Sequence, residues 1–238
     1  MSLPRPTLHF AARLAIALTT LAAALPGPAI AHDEHSGHRA AAALVRSEHA
    51  YRLPTVQVTR SDGRRMALAE AIDDGRPVML NFVYTSCNAI CPVTSQVFVE
   101  VRERLGAERA GLNMISISID PEQDTPRRLQ AYADRFGSAG TWTHLTSSVA
   151  DAIEIQRAFD AWRGDKMNHQ ATTYLRAAPG QPWVRLDGFF GPSAIVGEFR
   201  RSKVAASAGD SCRAEVASGT VSLSAAGARA GTNIKCKS

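Results

Sequence analysis

Val78-Met-Leu-Asn-Phe-Val-Tyr-Thr-Ser-Cys-Asn-Ala-Ile-Cys-Pro92 joins an apolar strand pattern to a pair of cysteines. Residues 78–84 form a near-continuous apolar run, which is typical of a strand covered on both faces of a partly parallel sheet. Cys87 and Cys91 follow where this pattern gives way to a helical one. Residues four apart lie about one helical turn apart, so the two sulfurs are able to share a metal ion or form a disulfide. The CxxxC spacing differs from the CxxC of thioredoxin-type redox proteins.

The segments around this stretch predict an alternating α/β order. A hairpin is expected about Asp62-Gly63, because strand-like residues 55–59 and 66–68 flank this turn signal. Periodicity and helix start and stop signals predict the remaining elements: helices at 93–105, 124–136, 149–159 and 192–200, and strands at 114–119, 172–176 and 183–186. The order hairpin, β, α, β, α, α, β, β, α predicts an α/β fold with a mixed central sheet flanked by helices.

The first 31 residues have the pattern of a secretory signal. Arg5 and Arg13 form a basic region without acidic residues, residues 14–25 are an apolar run of 12, and Ala29-Ile-Ala31 matches a small-x-small cleavage site. This run is short for a bilayer span, which takes about 20 residues. We expect export to the periplasm with cleavage after Ala31, and the alternative is anchorage to the inner membrane by an uncleaved segment.

Three further segments are predicted after the signal. Residues 32–50 are polar and His-rich, then Ala-rich, and are expected to form a flexible leader. Residues 51–203 carry the strand and helix patterns and are long enough for one core. Residues 204–238 form a tail in which 19 of 35 residues are Ala, Gly or Ser. This composition predicts that the tail cannot bury enough apolar surface to order itself.

The charge of the chain is mildly positive. The formal net charge of +5 falls to +3 when residues 1–31 are removed, since they hold two arginines and no acidic residue. Lysines and arginines are scattered and form no long block, so nucleic acid is not an expected partner. Export would place the four cysteines in an oxidising compartment, where disulfides persist.

His169 is the candidate third ligand beside the two cysteines. It lies in Met167-Asn-His-Gln-Ala171, a polar loop that enters a predicted strand. Two soft thiolates and one imidazole suit copper, above all Cu(I), and zinc is the second choice because a structural zinc site needs four ligands. A structural disulfide between Cys87 and Cys91 is the alternative to a metal site. The helix start favours available thiolates, since the helix dipole lowers a thiol pKa.

Residues 51–201 resemble the Sco/SenC family of copper-binding, thioredoxin-like proteins that serve cytochrome oxidase assembly. The matching elements are Asn81-Phe-Val-Tyr-Thr-Ser-Cys-Asn-Ala-Ile-Cys-Pro92, Ile117-Ser-Ile-Asp-Pro-Glu-Gln-Asp-Thr-Pro126, and His169-Gln-Ala171 leading into Tyr174-Leu175. The resemblance implies a thioredoxin-like fold and copper, as Cu(I) and also Cu(II), on Cys87, Cys91 and His169. Asn168 departs from the family, in which an aspartate commonly precedes this histidine. We assign 120–126 a structural role, in which Asp124 or Thr125 caps a helix.

The resemblance also implies a function. We expect a periplasmic copper metallochaperone, not an enzyme, that delivers copper to a terminal-oxidase subunit, with a copper donor and a thiol reductant as further partners. The alternative is a thiol-disulfide oxidoreductase that reduces a copper-receiving partner through Cys87 and Cys91. Thioredoxin-like oxidoreductases place a cis-proline where this chain has Ala171, which favours the chaperone. Peroxidase activity is the weakest candidate, because Tyr84-Thr-Ser-Cys87 lacks the proline of the peroxiredoxin pattern.

Two further sets of residues carry separate predictions. His32, His35 and His38 are spaced by three, and cleavage after Ala31 would add a free α-amino group, so the leader is a candidate for auxiliary copper capture. Cys212 and Cys236 enclose 23 residues of the tail. They are expected to pair as a disulfide, since the core cysteines are assigned to copper.

Overall fold

Strands and helices alternate along the part of the chain that a computed structural model describes, residues 44–138 and 140–217, with side chains up to residue 207. The strands are β1 (Val45–His49), β2 (Gln57–Arg60), β3 (Arg65–Ala67), β4 (Val78–Val83), β5 (Asn113–Ser118), β6 (Trp142–Thr146), β7 (Thr172–Arg176) and β8 (Trp183–Asp187). The helices are α1 (Leu68–Ile72), α2 (Ile90–Leu105), α3 (Pro126–Arg135), α4 (Val149–Ala158) and α5 (Pro192–Ala217). Short 3-10 turns at Gly106–Gly111 and Lys166–Asn168 complete the described elements.

The strands described form one mixed sheet in the order β1-β8-β7-β4-β5-β6-β2-β3. Strand β4 lies at its centre, parallel to β5 and antiparallel to β7, and β5 is parallel to β6. All six residues of β4 are buried, as the apolar run at 78–84 predicted. All six residues of β5 are buried as well, although its sequence alternates between apolar and polar residues. Because β4 and β5 are parallel, the loops after both strands leave from the same edge of the sheet.

Side chains that alternate along β4 enter two different cores. Leu80 and Phe82 join one cluster with Phe159, Tyr174 and residues of α1 and α4. Met79 points into the other cluster, which contains Phe98 of α2 and several residues of α5. This alternation follows from the two-residue period of a strand, and it leaves β4 covered on both sides. The predicted α/β fold with helices on a mixed sheet is confirmed.

The hairpin predicted at the N-terminal end of the domain is also present. Strands β2 and β3 pair antiparallel, with Gln57 opposite Ala67 and Thr59 opposite Arg65. Gly63 in the connection has φ of 87°, a left-handed conformation that a residue without Cβ adopts at little cost. The turn signal at Asp62-Gly63 therefore identified the hairpin correctly.

The flexible leader was predicted to continue to residue 50, and this boundary is wrong. Strand β1 pairs with β8 over Val45–His49. Arg46 also donates a hydrogen bond to the buried carboxylate of Glu198 on α5 at 2.8 Å. Most side chains of β1 face solvent, so the strand has no hydrophobic alternation to reveal it. It forms because the edge of β8 offers backbone hydrogen-bonding groups to any extended partner.

Strand β6 and helix α1 were missed, and α5 was predicted too short. Strand β6 is mostly buried, but its polar residues Thr143, His144 and Thr146 break the hydrophobic pattern that would predict a strand. Helix α5 continues to Ala217 rather than ending near residue 200, so it enters the predicted unordered tail. Backbone hydrogen bonds within a helix need no apolar burial, and alanine has the highest helix propensity. Low hydrophobicity at 204–217 therefore did not exclude a helix.

Several predictions lie outside the described residues. They are the signal at 1–31, the auxiliary copper-binding residues His32, His35 and His38, and the disulfide of Cys212, whose side chain is not described, with Cys236. They stay predictions. Among the helices described, none combines the length and the apolar character that a membrane span requires.

His144 makes the stability of the fold dependent on pH. Its ring is fully buried between Trp142 and Tyr132, at centroid distances of 4.8 and 6.0 Å. Burial lowers the pKa of His144 to about 4, and a weak contact with the Trp142 backbone, short of hydrogen-bond geometry, only partly opposes this. Between pH 6.5 and 4 the unfolded chain therefore binds more protons than the native one, so the free energy of unfolding falls as pH falls.

We expect His144→Phe to reduce this pH dependence without abolishing it, because burial lowers the pKa of His169 in the same direction. The variant cannot take up the proton that favours the unfolded state, a contribution of up to about 3 kcal/mol across the window. Urea unfolding of wild type and variant at pH 7 and near pH 4.5 measures the effect. Equal losses of stability in both proteins on acidification would contradict the assignment to His144.

Candidate metal centre

The two cysteines lie at the start of α2, directly after the central strand. Cys87 belongs to the turn that follows β4, and Cys91 is the second residue of α2. Ala89, at the N-cap position, has no side chain to accept a hydrogen bond from the first turn. The backbone N–H of Cys91 donates instead to Cys87 Sγ at 3.3 Å. The Cys87 sulfur thus serves as the acceptor that an exposed helix amide requires.

This arrangement separates the acidities of the two thiols. Burial raises the pKa of Cys87, but hydrogen bonds from the backbone of Cys91, the Cys91 side chain and the backbone of Ala89 outweigh it, so the net pKa is below the ordinary value. Burial raises the pKa of Cys91 far above the ordinary value, and the hydrogen bond with Cys87 raises it further. Cys87 is partly exposed and Cys91 fully buried. The thiolate therefore forms first on Cys87.

A buried carboxylate holds the cysteine turn in place. Asp124 accepts hydrogen bonds from the backbone N–H of Thr85 at 3.1 Å, from the Thr85 hydroxyl at 2.6 Å and from the Ser118 hydroxyl at 2.6 Å. It has no exposed surface. The capping role predicted for Asp124 or Thr125 falls to Thr125, whose hydroxyl accepts from Arg128 N at 3.3 Å. The sequence did not identify Asp124 as the support of the cysteine turn.

His169 approaches the site from the loop before β7. Its ring lies edge-on to the ring of Tyr84, with 6.3 Å between centroids. Burial lowers the pKa of His169 to about 4, a contact with the Phe82 backbone raises it, and the charge of Arg163 lowers it. The imidazole is therefore neutral at pH 7, which is the form that binds metals.

Tyr84 contacts both the histidine and the cysteines. It packs with Cys91 and Cys87 in one small apolar cluster. Burial raises the pKa of Tyr84 to about 12, and a hydrogen bond with Cys87 contributes to the increase. The Lys166 ammonium lies 5.7 Å from the centre of the ring and pairs with Asp120 at 2.5 Å. Sequence reasoning missed Tyr84 and Lys166, and the only signal for Tyr84 was its place at the end of the apolar run.

The three predicted ligands share one end of the sheet but do not surround one point. Among the residues described, no group of three or more His, Cys, Asp or Glu side chains is placed to hold a metal ion. Cys87 and Cys91 lie in one cluster with Tyr84, and the Tyr84 ring also contacts His169. The other side of His169 borders a cleft of about 470 Å³, which Asp120 and Lys166 also line. The ligand set stays a prediction.

The difference between the two thiols predicts selective alkylation. In the reduced, folded protein near neutral pH, iodoacetamide should modify Cys87 at least about tenfold faster than Cys91, because the reagent needs an accessible thiolate. Peptide mapping by mass spectrometry after timed quenching measures both rates. In guanidinium the two rates should become similar. Equal rates in the folded protein would show that the predicted separation of acidities is absent.

Comparisons of sequence relate this chain to proteins described as SCO1 or SCO2-like. The sequence profile described as SCO1/SenC matches residues 54–202. An SCO1 protein homolog of Bacillus subtilis is 26% identical over 140 residues, which are 55% of this chain and 71% of the relative. A SCO2-like protein of Rickettsia conorii is 34% identical over 116 residues, 45% of this chain and 56% of the relative. The match thus spans little more than half of the Rickettsia protein.

Solved structures show the same fold. A SCO1/SenC family lipoprotein from Bacillus anthracis superposes with a TM-score of 0.58 at 21% identity, covering 66% of this chain and 98% of that one. Bradyrhizobium japonicum ScoI with copper bound gives 0.53 at 23% identity, covering 63% and 98%. These likenesses confirm the thioredoxin-like fold. With a family profile that spans more than half of its length, this chain belongs to the SCO1/SenC family.

Proposed function

We propose that this protein is a copper metallochaperone that carries Cu(I) on Cys87, Cys91 and His169 and delivers it to a terminal-oxidase subunit. The observation that carries the proposal is the cysteine pair at the start of α2, in which one thiol has a lowered pKa. Two relatives support it: a Bradyrhizobium ScoI has been solved with copper bound, and the protein BsSco is described as a member of the Sco family of cytochrome c oxidase assembly proteins.

The donor atoms fit copper as cargo. Two sulfurs and a neutral imidazole are soft or borderline ligands, which Cu(I) prefers over Mg²⁺ or Ca²⁺. Zinc in a structural site would require a fourth protein ligand. Cys91 holds its proton in the folded protein, so copper must displace that proton when the second thiolate forms. Affinity should therefore rise with pH.

The contacts around the site suit a cargo that must also leave. Asp124 fixes the turn that carries Cys87, and the Lys166–Asp120 ion pair fixes the loop that carries His169. Among the residues described, the imidazole and the two sulfurs are not placed to hold one ion, so loading must bring loop and turn closer together. Part of the binding free energy is then spent on this movement. A receiving protein whose site is already assembled spends no binding free energy on such a movement. It would therefore bind copper more tightly than this protein does.

Delivery places demands on compartment and partners. Both thiols must be reduced to bind Cu(I), so an oxidising compartment such as the periplasm requires a thiol reductant as well as a copper donor. The Bacillus anthracis relative is described as a lipoprotein. That description supports the alternative of membrane attachment through the N-terminal segment. Export with cleavage after Ala31 is the first choice on the sequence of residues 1–31.

The separated thiol acidities also support a second candidate, a thiol-disulfide oxidoreductase. The Cys87 thiolate would attack a disulfide of the partner, forming a mixed disulfide and releasing one partner thiolate. Cys91 would then lose its proton and displace the second partner thiolate. The partner gains two electrons, and Cys87 and Cys91 become a disulfide. Ala171, where a cis-proline is usual in such enzymes, ranks this candidate second.

We expect the Cys87→Ser/Cys91→Ser variant to lose Cu(I) affinity by more than about 100-fold. Loss of a single supporting group around a metal already costs about 10–100-fold, and here two direct ligands are removed. Competition with a chromophoric Cu(I) chelator under anaerobic conditions measures the effect. Cys212→Ser/Cys236→Ser is the matched control and should bind like wild type. Unchanged affinity in the first variant would refute the site.

His169→Ala separates the two candidate functions. A chaperone needs this ligand, whereas disulfide exchange needs only the cysteines. In a deletion strain grown in copper-poor medium, the variant should fail to restore oxidase activity, yet it should exchange disulfides with a model substrate at the wild-type rate. Full restoration by His169→Ala would reject the chaperone and favour the reductase.

A further inference from the structure

Met167 is a large apolar side chain left in solvent beside the cysteine–histidine site. It is 73% exposed, in the 3-10 turn Lys166–Asn168 that precedes His169. Its backbone is held in place, because its N–H donates to Asp165 Oδ1 at 2.8 Å and the adjacent Lys166 pairs with Asp120. A methionine that faces water contributes little to the core. Its thioether, however, is a soft ligand.

The Met167 sulfur is held close to the cysteines by one hydroxyl. Tyr84 Oη donates to Met167 Sδ at 3.8 Å, and the Tyr84 side chain also packs in one cluster with Cys87. A phenol has only one proton to donate, so it can serve one sulfur at a time. When it turns to the Cys87 thiolate, the lone pairs of the thioether are free for a metal. Exposed Met167 and partly exposed Cys87 thus flank a single group.

We propose that Met167 is an entry ligand for Cu(I), a thioether that takes the ion at the rim and passes it to Cys87. The inference rests on the proposed function, since it concerns copper loading of the same site. A copper–thioether bond forms as the donor's ligand leaves, and the Cys87 thiolate then displaces the thioether. No electron is transferred, and the proton of Cys91 goes to solvent when the second sulfur binds.

The chemistry of a thioether suits this role better than that of the inner ligands. It is neutral at every pH, so capture needs no deprotonation, unlike binding at Cys91. It binds soft Cu(I) but is a poor ligand for hard Mg²⁺ or Ca²⁺, which adds selectivity before the cysteines are reached. A neutral ligand on an exposed turn also releases its ion more readily than a buried thiolate pair. These properties favour capture and transfer over storage.

The test compares copper loading in Met167→Leu and wild type. Leucine keeps the apolar volume and removes the sulfur. Because the position is exposed, the substitution should leave folding unchanged, so slower copper loading would not result from misfolding. Reduced protein is mixed anaerobically with a coloured Cu(I)–chelator complex in a stopped-flow instrument. We expect loading to slow by on the order of tenfold, the loss typical when a supporting group near a metal is removed. Met66→Leu, at the partly buried hairpin, should load like wild type.

A second variant and a spectroscopic signature complete the test. Met167→His places another copper-binding side chain at the rim and should restore much of the loading rate. In protein labelled with ¹³C-methyl methionine, Cu(I) should shift the Met167 methyl signal even in the Cys87→Ser/Cys91→Ser background. The methyl signals of buried Met79 and Met114 should not move.

The outcomes distinguish this inference from the proposed function. Wild-type loading rates in Met167→Leu, or a stationary Met167 signal in the double-cysteine variant, would overturn the entry-ligand role while leaving the copper site on the cysteines intact. Failure of the wild-type protein to take Cu(I) from the chelator would instead overturn the proposed function on which the inference rests.

Discussion

The buried carboxylate of Asp124 is the constraint on which the cysteine end of the molecule depends. It joins the turn after β4, through both hydrogen-bond donors of Thr85, to the end of β5, through the hydroxyl of Ser118. A fully buried carboxylate is tolerated only when hydrogen bonds replace the lost water. The three donors satisfy this need, and in return they fix where α2 begins. The position of Cys87 therefore follows from a charge that the fold has to satisfy.

The two thiols at the start of α2 differ in acidity. The sulfur of Cys87 accepts a hydrogen bond from a backbone N–H of the helix, whereas Cys91 is buried. Cys87 accepts an N–H that would otherwise lack a partner, and this stabilises its thiolate. Cys91 packs among apolar side chains, which disfavour its charged form. The same asymmetry suits stepwise metal capture and stepwise disulfide exchange. The cysteine pair alone therefore supports both candidate functions. Only the role of the loop that carries His169 distinguishes them.

The loop before β7 brings a neutral imidazole and a thioether to the cysteines without closing around them. Tyr84 contacts both parts: its ring packs in one cluster with the two cysteines, and its hydroxyl donates to Met167. The ion pair of Lys166 with Asp120 holds the loop at this distance. A site that must rearrange to bring its ligands onto a metal ion binds that ion less tightly than a rigid site with the same ligands. Under the proposed function, such a site suits transport of copper better than storage.

Local sequence determined the elements whose residues carry their own signal: the apolar run of β4, the Asp62-Gly63 hairpin, the helix start at Asp124-Thr-Pro126, and the CxxxC pair where a strand meets a helix. It did not reveal β1, β6 or the extension of α5, because an exposed edge strand, a strand buried with polar side chains and an alanine-rich helix lack the expected hydrophobic period. Only the tertiary structure placed Asp124 beneath the cysteine turn and Tyr84 beside His169. Those contacts join residues far apart in the chain, and no local spacing encodes such distances.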